Sequence, residues 1–530
     1  MPLEDSTVVT IPRRQLLMGM GATLATFSLP GTGRTEHSAE HRRPEGQLTI
    51  AFDTTIASSY LDPAEVAGLA TPFTFLYALH DALIKPLPGN NMAPCLATSW
   101  SESADGLTYE FVLRPGLHFH NGDPFTAEDV QFTFQRYKGA AANILHARVR
   151  TVDIVEPHRV RFVLHQPWPD FLTFYGSLAT GACWIVPKKY VEQVGNDGFK
   201  QRPVGLGPYR FVSAQTGVEL TLEANEQYWR KTPSIQRIIF KGVPERTTRL
   251  AMLKTGEADI AYLMIGDEAV AIKNDPKLRL AQVISAATWW LEFPEQWQPN
   301  SPWHDRRVRL AANLAIDRKA INESERLGLS RLTGSIIPSS LDFSLPLEPY
   351  PYDPAQAKRL LAEAGYAKGF DAGDITPTPP FNTFAESVAT YLGAVGIRVR
   401  VRSMERATFI ATWRDKKLQG LIGGSSAALG NVATRLETFV VGGGTYAYGS
   451  HSDIDALFRQ QASERDRSKR EALLHQIQRL MHERVMHAPI WEPATLHGIG
   501  PRVEEAGVGL NPLLYFTAPY EEMRVVKAAK

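Results

Sequence analysis

Cysteine is scarce in this chain. Only Cys95 and Cys183 occur among 530 residues, without a CxxC pair, so a disulfide scaffold, a zinc ribbon and a thiol redox motif are not predicted. The two cysteines could pair in an oxidising compartment, but sequence alone does not bring them together. An excess of one charge is also lacking, because 57 Lys and Arg face 56 Asp and Glu for a formal net charge of +1. A broad nucleic-acid or anionic-membrane surface is therefore not predicted.

Long hydrophobic runs are missing beyond the N-terminus, where about eighteen unbroken apolar residues would be needed to span a bilayer. At the N-terminus, Arg13-Arg14 and Leu16-Leu17 precede a small, apolar run that continues to about Leu29, typical of an export signal. The arginine pair resembles a twin-arginine signal, with Pro12 in place of the usual Ser or Thr, and an ordinary secretory signal is the alternative. No cysteine follows the run, so a lipid anchor is not predicted. We expect residues 1–46 to be an export signal and disordered leader, and the mature protein to be soluble and periplasmic.

A catalytic constellation is also lacking. His482 and His487 are five residues apart, whereas a zincin helix needs four to place both imidazoles on one face. The segment 423–427 lacks the final glycine of a nucleophile elbow and has no evident triad around it. No catalytic residue is therefore predicted.

Metal and nucleotide signals are equally weak. His118 and His120 lie two residues apart beside Asp123, and packing of a turn explains them more simply than a metal site does. The Gly-Leu-Gly at 205–207 has neither a third glycine nor a P-loop lysine at the required spacing. No metal and no other cofactor is predicted.

The segment 109–130 carries a dense local pattern instead. Tyr109, Phe111 and Leu113 alternate with other residues, which is the period of a half-buried strand. Turns follow at 114–116 and 121–122, with a second short strand predicted between them. Thr126 three residues before Asp129 resembles a capping box at a helix start.

Two later segments have clear helical patterns. Asp353 and Pro354 precede apolar positions that repeat through the segment 355–364, and Gly365 ends it, so a capped helix is predicted. A long helix is predicted at about residues 467–484, where apolar residues recur on one face.

The segment 109–130 resembles the most characteristic stretch of the family 5 extracytoplasmic solute-binding proteins, the oligopeptide-, dipeptide- and nickel-binding receptors of ABC importers. The similar residues are the Leu-Arg-x-Gly turn at 113–116, the aromatic-His-x-Gly-x-Pro turn at 119–124 and the Thr-Ala-Glu-Asp-Val run at 126–130. Leu-Asp-Pro at 61–63 is similar to the family as well. Gly-Leu-Gly-Pro-Tyr at 205–209 departs from it only in the leucine.

The resemblance implies an α/β, two-lobed periplasmic-binding-protein-like fold, of type II in the large cluster C form, with an extra subdomain on the first lobe. The expected bounds are 1–46 for the signal and leader, 47–84 for the first part of lobe I, 85–200 for the inserted subdomain, 201–285 for the second part of lobe I, 286–488 for lobe II and 489–530 for the C-terminal part of lobe I.

The resemblance also implies the function of a periplasmic substrate-binding component of an ABC importer. Such a protein captures a solute between its lobes and delivers it to the permease and ATPase complex of the inner membrane. The solute could be a peptide, an opine-like conjugate, an oligosaccharide or a metal chelate. A monomer without enzymatic activity or nucleic-acid partner is expected. Alternatives are a solute-sensing or chaperone-like binding protein without transport, and a periplasmic hydrolase.

The loop at 423–435 departs from the family pattern. Peptide-binding relatives commonly have Gly-Trp-x-x-Asp here, and that aspartate can balance a peptide's ammonium group. This chain has no acidic residue from Gly420 through Arg435, and the tryptophan is missing too. A neutral or anionic ligand is therefore favoured. A peptide held by another charge, such as Glu437 or Glu492, stays open.

Candidate ligand residues follow from position in the fold. Ligands of open α/β sheets lie beyond the carboxyl ends of strands, and the family often has aromatic residues at the interlobe cleft, where the strand at 288–293 is expected. Adjacent strand residues point to opposite faces, so only one of Trp289 and Trp290 can face a given side. The candidates are Thr54, Thr55, Ser58, Tyr60, Trp289, Trp290, Ser425, Ser426, Asn431, Arg435, Tyr446 and Trp491.

Overall fold

A computed structural model of the protein describes residues 43–66, 71–176, 180–284, 286–378, 381–426, 430–511 and 513–526. The predicted export signal, with its arginine pair, lies outside the described residues. Among the helices that are described, none is both long and apolar enough to cross a membrane.

The strands of the described residues form several sheets. They are β1 (Glu45–Phe52), β2 (Ile84–Leu87), β3 (Asn90–Pro94), β4 (Ala97–Glu102), β5 (Thr108–Leu113), β6 (Val149–Glu156), β7 (Arg159–Leu164), β8 (Tyr209–Gln215), β9 (Glu219–Ala224), β10 (Ile235–Gly242), β11 (Ile260–Ala261), β12 (Arg279–Ile284), β13 (Thr288–Glu292), β14 (Arg331–Leu332), β15 (Phe370–Pro377), β16 (Ile397–Val401), β17 (Leu421–Ser426), β18 (His487–Glu492), β19 (Ala494–Ile499), β20 (Val503–Glu505) and β21 (Arg524–Val525).

Helices alternate with these strands along the chain. They are α1 (Thr71–Leu79), α2 (Ala127–Arg136), α3 (Ala142–Arg148), α4 (Phe171–Tyr175), α5 (Lys188–Gln201), α6 (Arg246–Thr255), α7 (Gly266–Lys273), α8 (Arg306–Ala315), α9 (Arg318–Arg326), α10 (Pro354–Glu363), α11 (Asn382–Ala394), α12 (Arg406–Arg414), α13 (Val432–Phe439), α14 (Ser452–Ser463) and α15 (Arg467–Glu483). Short 3-10 helices lie at Ser58–Leu61, Pro63–Glu65, Pro294–Trp297, Pro302–His304 and Tyr520–Glu522.

The first sheet has seven strands in the order β12-β19-β11-β1-β10-β9-β8. Its central strand β1 runs parallel to β10 and β11, and the residues from Leu48 to Phe52 are all buried. A continuous buried run is what a central strand covered on both faces requires. The loop that begins at Asp53 leaves this sheet at the carboxyl end of β1.

A separate four-stranded antiparallel sheet, in the order β4-β5-β7-β6, is formed by the segment with the dense local pattern. Tyr109, Phe111 and Leu113 of β5 are buried as predicted. The capping box of α2 is confirmed, since the backbone N–H of Thr126 donates to Asp129 over 2.9 Å and the Thr126 side chain accepts in return. The second predicted strand was wrong: only an isolated bridge between His118 and Pro124 forms, because the turn closes too tightly for a ladder.

The Gly-Leu-Gly segment packs tightly against α1 and His120. A Cβ atom at Gly205 would lie 2.0 Å from the carbonyl oxygen of Leu79, so no larger residue fits there. His120 Nε2 lies 2.9 Å from the oxygen of Gly207, and its Nδ1 accepts from the N–H of Gly205 over 3.3 Å. Close packing of the backbone therefore explains these glycines.

The second sheet has six strands in the order β14-β18-β13-β17-β15-β16. Its strand β13 is antiparallel to both β17 and β18, whereas β15 is parallel to β16 and β17. The helices α8, α10 and α11 supply buried apolar residues to one face of this sheet. The predicted cap of α10 is confirmed, because Asp353 accepts from the N–H of Gln356 over 2.8 Å.

The chain passes between the first and second sheets at two places. It leaves β12 of the first sheet at Ile284 and enters β13 of the second at Thr288, and it returns between Glu492 of β18 and Ala494 of β19. The lobe bounds given above stay a prediction. Cys95 and Cys183 are both buried, and no disulfide joins these two described residues.

Candidate functional site

Trp289 and Trp290 of β13 point to opposite faces of the second sheet, as strand geometry requires. The ring centroid of Trp289 lies 4.0 Å from that of Phe381 and 4.8 Å from that of Phe384. Trp491 of β18 is the cross-strand partner of Trp289, and the centroids of their rings are 6.3 Å apart. Packing in the core beside α11 therefore accounts for both Trp289 and Trp491.

Trp290 lies on the other face, among a different set of aromatic rings. Its ring centroid is 5.2 Å from that of Phe439 and 6.3 Å from that of Trp413. The ring passes so close to β17 that a Cβ atom at Gly424 would lie 2.6 Å from it. Trp290 therefore places an aromatic ring beside the loop at 423–435, which has no tryptophan of its own. Gly424 leaves the space that this ring needs.

Arg435 is positioned by the start of α13. Asn431 caps this helix, because its Oδ1 accepts from the N–H of Thr434 over 3.1 Å while Thr434 Oγ1 accepts from the N–H of Asn431 over 3.3 Å. This reciprocal pair fixes the first turn. Arg435, one residue further on, is thereby held beneath the ring of Trp290.

The guanidinium of Arg435 is fully buried, with 0% of the residue exposed. Its carbon lies 5.7 Å from the ring centroid of Trp290 and 5.5 Å from that of Phe439. Nη2 donates to the carbonyl oxygen of Ser426 over 3.1 Å, but Nε and Nη1 are buried without an acceptor. Burial lowers the pKa of Arg435 to about 9, so the group is still charged at neutral pH.

Among the described residues, no carboxylate offsets this charge. Burial is the only cause of the lowered pKa of Arg435 among the described residues, and the internal gaps in the described ranges contain only Ala, Gly, Leu, Ser and Pro. The indole Nε1 of Trp290 is also buried without an acceptor. The face of the second sheet that holds Trp290 and Arg435, here called the donor site, thus has three nitrogen donors without an acceptor, and the described residues place no carboxylate beside them.

Ser425 and Ser426 end β17 next to the donor site. Ser425 pairs with Trp289 and Ser426 with Thr288, and both serines are half-buried. Because β17 ends here, their hydroxyls lie at the carboxyl end of a strand, where open α/β sheets hold ligands. Residues 427–429, which follow, lie outside the described part of the chain.

Asn431 makes a contact that the sequence did not indicate. Its Nδ2 donates to Asp170 over 2.6 Å, and Arg470 of α15 donates to both carboxylate oxygens of Asp170 over 2.6 Å. Asp170 stands just before α4, beside the four-stranded sheet, whereas Asn431 and Arg470 flank the second sheet. This buried cluster of three residues, here called the interlobe clamp, joins the two sides of the molecule.

Neither Asp170 nor Arg470 has a local signal in the sequence. Asp170 precedes a short helix and so has the position of an ordinary cap, although its side chain caps nothing there. Arg470 is one of several basic residues on a long helix. Only the tertiary fold brings them together, at 300 residues' separation.

The candidates after β1 lie at the carboxyl end of the first sheet. Thr54 and Tyr60 are half-buried, while Thr55 and Ser58 are exposed. Tyr60 stacks on Phe75 with ring centroids 6.2 Å apart. No contact among the described residues places these four side chains against the donor site.

Asp53, just before Thr54, was not predicted as a site residue. Its Oδ1 is buried without a partner, and burial raises the pKa of its carboxyl group while Arg249 and Arg406 oppose the shift. Arg406 begins α12, which packs beside the second sheet through Trp413, so a residue on the side of the second sheet acts electrostatically on Asp53.

Tyr446 and the two acidic alternatives have different surroundings. Tyr446 is half-buried and stacks on Phe439 at 5.3 Å, at the edge of the donor site. Glu492 accepts from the N–H and hydroxyl of Ser339 over 3.1 and 2.9 Å and is therefore occupied. Burial, followed by repulsion from Asp170, raises the pKa of Glu437.

His482 and His487 lie on different elements, since α15 ends at Glu483 and His487 begins β18. Both line one small cavity together with Tyr350 and Gln478. Burial, with Arg309 nearby, lowers the pKa of His487 to about 3. The described residues contain no cluster of three or more His, Cys, Asp or Glu side chains that could hold a metal ion.

Two α/β sheets joined by crossing strands, with a polar and aromatic site beside the crossing, define a two-lobed solute-binding protein. The family model for bacterial extracellular solute-binding proteins, family 5, matches residues 91–447, more than half of the chain. The chain belongs to this family. Membership confirms the predicted two-lobed fold and the predicted role as substrate-binding component of an ABC importer, in a family of binding proteins rather than enzymes.

Individual relatives agree with this assignment. The chain is 28% identical to heme-binding protein A of Haemophilus influenzae over 450 residues, which cover 78% of this chain and 81% of that protein. It is 27% identical to di/tripeptide-binding protein 2 of Pseudomonas aeruginosa over 511 residues, 88% and 93% of the two chains. The structure of the periplasmic binding protein DppA from Helicobacter pylori in complex with the peptide STSA matches with a TM-score of 0.76 at 22% identity, covering 91% and 98%.

Proposed function

We propose that the protein captures a peptide-like polar solute between its lobes, in the periplasm, and delivers it to an ABC permease and ATPase as a monomer without catalysis. The observation that carries the proposal is the interlobe clamp, which ties the two sides of the molecule together through Asp170. A solute that contacts both sides favours the closed state by its differential affinity alone.

The donor site supports a peptide-like solute bound in an uncommon way. Relatives bind di- and tripeptides or heme, according to their names. This chain lacks an acidic residue in the loop at 423–435 that could balance an ammonium group. Trp290, Ser425, Ser426, Arg435 and Tyr446 are therefore proposed as ligand residues on the second-lobe side.

The first-lobe side of the site is proposed to lie at the carboxyl end of β1, with Thr54, Thr55, Ser58 and Tyr60. Asn431 acts by holding α13 and the clamp, because both polar ends of its amide are already engaged. Trp289 and Trp491 are proposed to act indirectly, by fixing β13 and β18 behind the site.

Thermal unfolding and calorimetry with a solute panel test this proposal. The panel contains free tripeptides, N-acetylated and amidated tripeptides, an opine-like amino-acid conjugate, heme, an oligosaccharide and a nickel chelate. A ligand that binds only the folded state adds about 2.7 kcal/mol to the free energy of unfolding when its concentration is a hundredfold above Kd. The melting temperature rises as a result. Binding of the oligosaccharide or the chelate alone would contradict a peptide-like solute, and turnover of any member would contradict a pure binding function.

Export by the twin-arginine route is a further part of the proposal, supported by Arg13-Arg14 before Leu16-Leu17. Replacing both arginines by lysine should leave the full-length protein in the cytoplasm. Normal processing and periplasmic recovery of that variant would favour the ordinary secretory route.

A further inference from the structure

We propose that the donor site is an anion anchor, in which Arg435 and Trp290 bind a carboxylate of the captured peptide-like solute. This inference rests on the proposed function and names the chemical group that the second lobe recognises. It assigns the charge contact of the site to a cation on α13, rather than to an acid in the preceding loop.

The first argument is the unmet hydrogen-bonding capacity of Arg435. A guanidinium has five N–H groups in a fixed fork that matches a carboxylate. Only the contact from Nη2 to the Ser426 oxygen is made, and the buried Nε and Nη1 have no acceptor. The edge that binds a carboxylate with two parallel hydrogen bonds consists of Nε and Nη2, so a carboxylate there would share Nη2 with the Ser426 oxygen, while Nη1 is a further donor on the other side.

The second argument is the charge. A buried cation costs several kcal/mol unless it is paired, and no carboxylate of the described residues acts on Arg435. The internal residues outside the described ranges have no ionisable side chain that could do so. Because the described residues supply no carboxylate here, a bound anion would complete the site.

The third argument is the shape of the surroundings. Trp290 and Phe439 hold the guanidinium carbon at 5.7 and 5.5 Å from their ring centroids, which fixes its orientation. The Nε1 of Trp290 is a further buried donor without an acceptor. Two neighbouring side chains thus leave N–H groups without acceptors on one face of the second sheet.

Buried arginines of this chain differ in how far the fold satisfies them. Arg326 has one buried nitrogen without an acceptor, its Nε, whereas Arg435 has two. Arg309 is satisfied by backbone oxygens, because it donates to four carbonyl groups over 2.9, 2.7, 2.9 and 2.8 Å. Arg435 has one such acceptor. Hydration of its other nitrogens by water is the competing explanation, and the experiment separates the two.

The probes are the tripeptide Ala-Ala-Ala, its N-acetyl derivative and its C-terminal amide, titrated calorimetrically into the full mature protein. The N-acetyl derivative is expected to bind as the free tripeptide does, because the loop has no acid for the ammonium group. The amide is expected to bind about 10- to 100-fold more weakly, since a charge-assisted hydrogen bond to a charged group is lost.

Two variants connect this difference to Arg435. In Arg435→Gln the acid should bind no more tightly than the amide, while Arg435→Lys should keep part of the preference because it keeps the charge and loses the fork. Arg398→Gln, which removes an exposed arginine from β16, is the matched control and should leave the preference intact. Near-native melting temperatures show that the variants fold.

The outcomes separate this inference from the proposed function. Equal binding of acid and amide to the parent protein, or an acid preference that survives in Arg435→Gln, would overturn the anion anchor and leave peptide capture standing. Tight binding only of probes with a free ammonium group would also overturn it. Failure of all three probes to bind the parent protein would contradict peptide capture itself, and the anchor with it.

Discussion

Two buried arginines of this molecule have opposite surroundings. Arg318, at the start of α9, donates from Nε to the oxygen of Pro489 over 2.7 Å, from Nη1 to the oxygen of Asn313 over 2.8 Å, and from Nη2 to the Asn313 side chain over 2.8 Å. Arg435 makes one hydrogen bond, to Ser426. Both are almost completely buried, so burial does not distinguish them. The difference is whether the described residues supply the acceptors, and the ligand role proposed for Arg435 depends on that difference.

The largest expected effect is at Arg318. The variant Arg318→Met should lower the free energy of unfolding by about 3–5 kcal/mol, because several buried oxygens lose their donor at once. Chemical denaturation monitored by tryptophan fluorescence measures the change. Exposed Arg398→Met should change it by less than about 0.5 kcal/mol. If Arg318→Met were as stable as the parent protein, hydrogen-bond satisfaction would not separate the two arginines.

Arg470 lies between Arg318 and Arg435 in this comparison. The fold supplies its acceptor, but that acceptor is the carboxylate of Asp170, on the opposite side of the interlobe clamp. Asp170→Asn should weaken binding of any captured solute by about tenfold or more, because the closed state loses a buried ion pair in which Nη2 of Arg470 contacts both carboxylate oxygens. Small-angle scattering should show a larger radius of gyration for the variant with solute present.

A second Asp–Arg pair that involves α15 provides the control for this prediction. Asp342 binds Arg467 at the surface, where the two side chains are about half exposed, and such pairs contribute at most about 1 kcal/mol. Asp342→Asn should therefore leave solute affinity almost unchanged. Equal losses in the two variants would show that the clamp does not control closure.

Glu292 extends the comparison of buried charged groups from arginines to a carboxyl group. It is buried on β13 and accepts from the Trp413 indole over 3.1 Å, and burial raises the pKa of its carboxyl group from 4.5 to about 8. The folded state then holds a proton that the unfolded state has released, so stability falls as pH rises from 4.5 to about 8 and levels off above it.

Glu292→Gln should remove this dependence. Relative to the variant, the parent protein should lose about 1–2 kcal/mol of stability between pH 5 and 8, less than the full linkage value because buried sites relax. Denaturation curves at several pH values measure it, and exposed Glu363→Gln on α10 is the control. Parallel pH profiles for parent and Glu292→Gln would show that Glu292 is ionised throughout.

The sequence predicted what depends on neighbours in the chain. The cap of α10, the capping box of α2 and the helix α15 follow from residues within a few positions of each other, and the structure confirms them. The family follows from one segment of about twenty residues. The absence of Asp and Glu from residues 420–435 could be read directly from the sequence. It favoured a neutral or anionic ligand at the loop that contains Arg435.

The contacts that make up the site were not visible, because they join distant residues. Strand alternation separated Trp289 from Trp290 but could not say which packs in the core, since that depends on α11 on one face and α13 on the other. Asn431 was predicted as a possible ligand contact, yet both ends of its amide are engaged by α13 and Asp170. Only the tertiary fold assigns these partners.

The smallest expected effect, and the one of opposite sign, is at Arg435. Without a solute, Arg435→Met should raise the free energy of unfolding by about 1 kcal/mol, because it removes a buried charge that the fold does not pair and replaces it by an apolar chain of similar length. Since burial lowers the pKa of Arg435 to about 9, the cost of the charge is present at neutral pH and is relieved as pH rises above that value. The advantage of the variant should therefore shrink between pH 8 and pH 10, in denaturation curves measured beside Arg398→Met. A loss of stability like that of Arg318→Met would instead make Arg435 a structural arginine, and the contrast between the two would disappear.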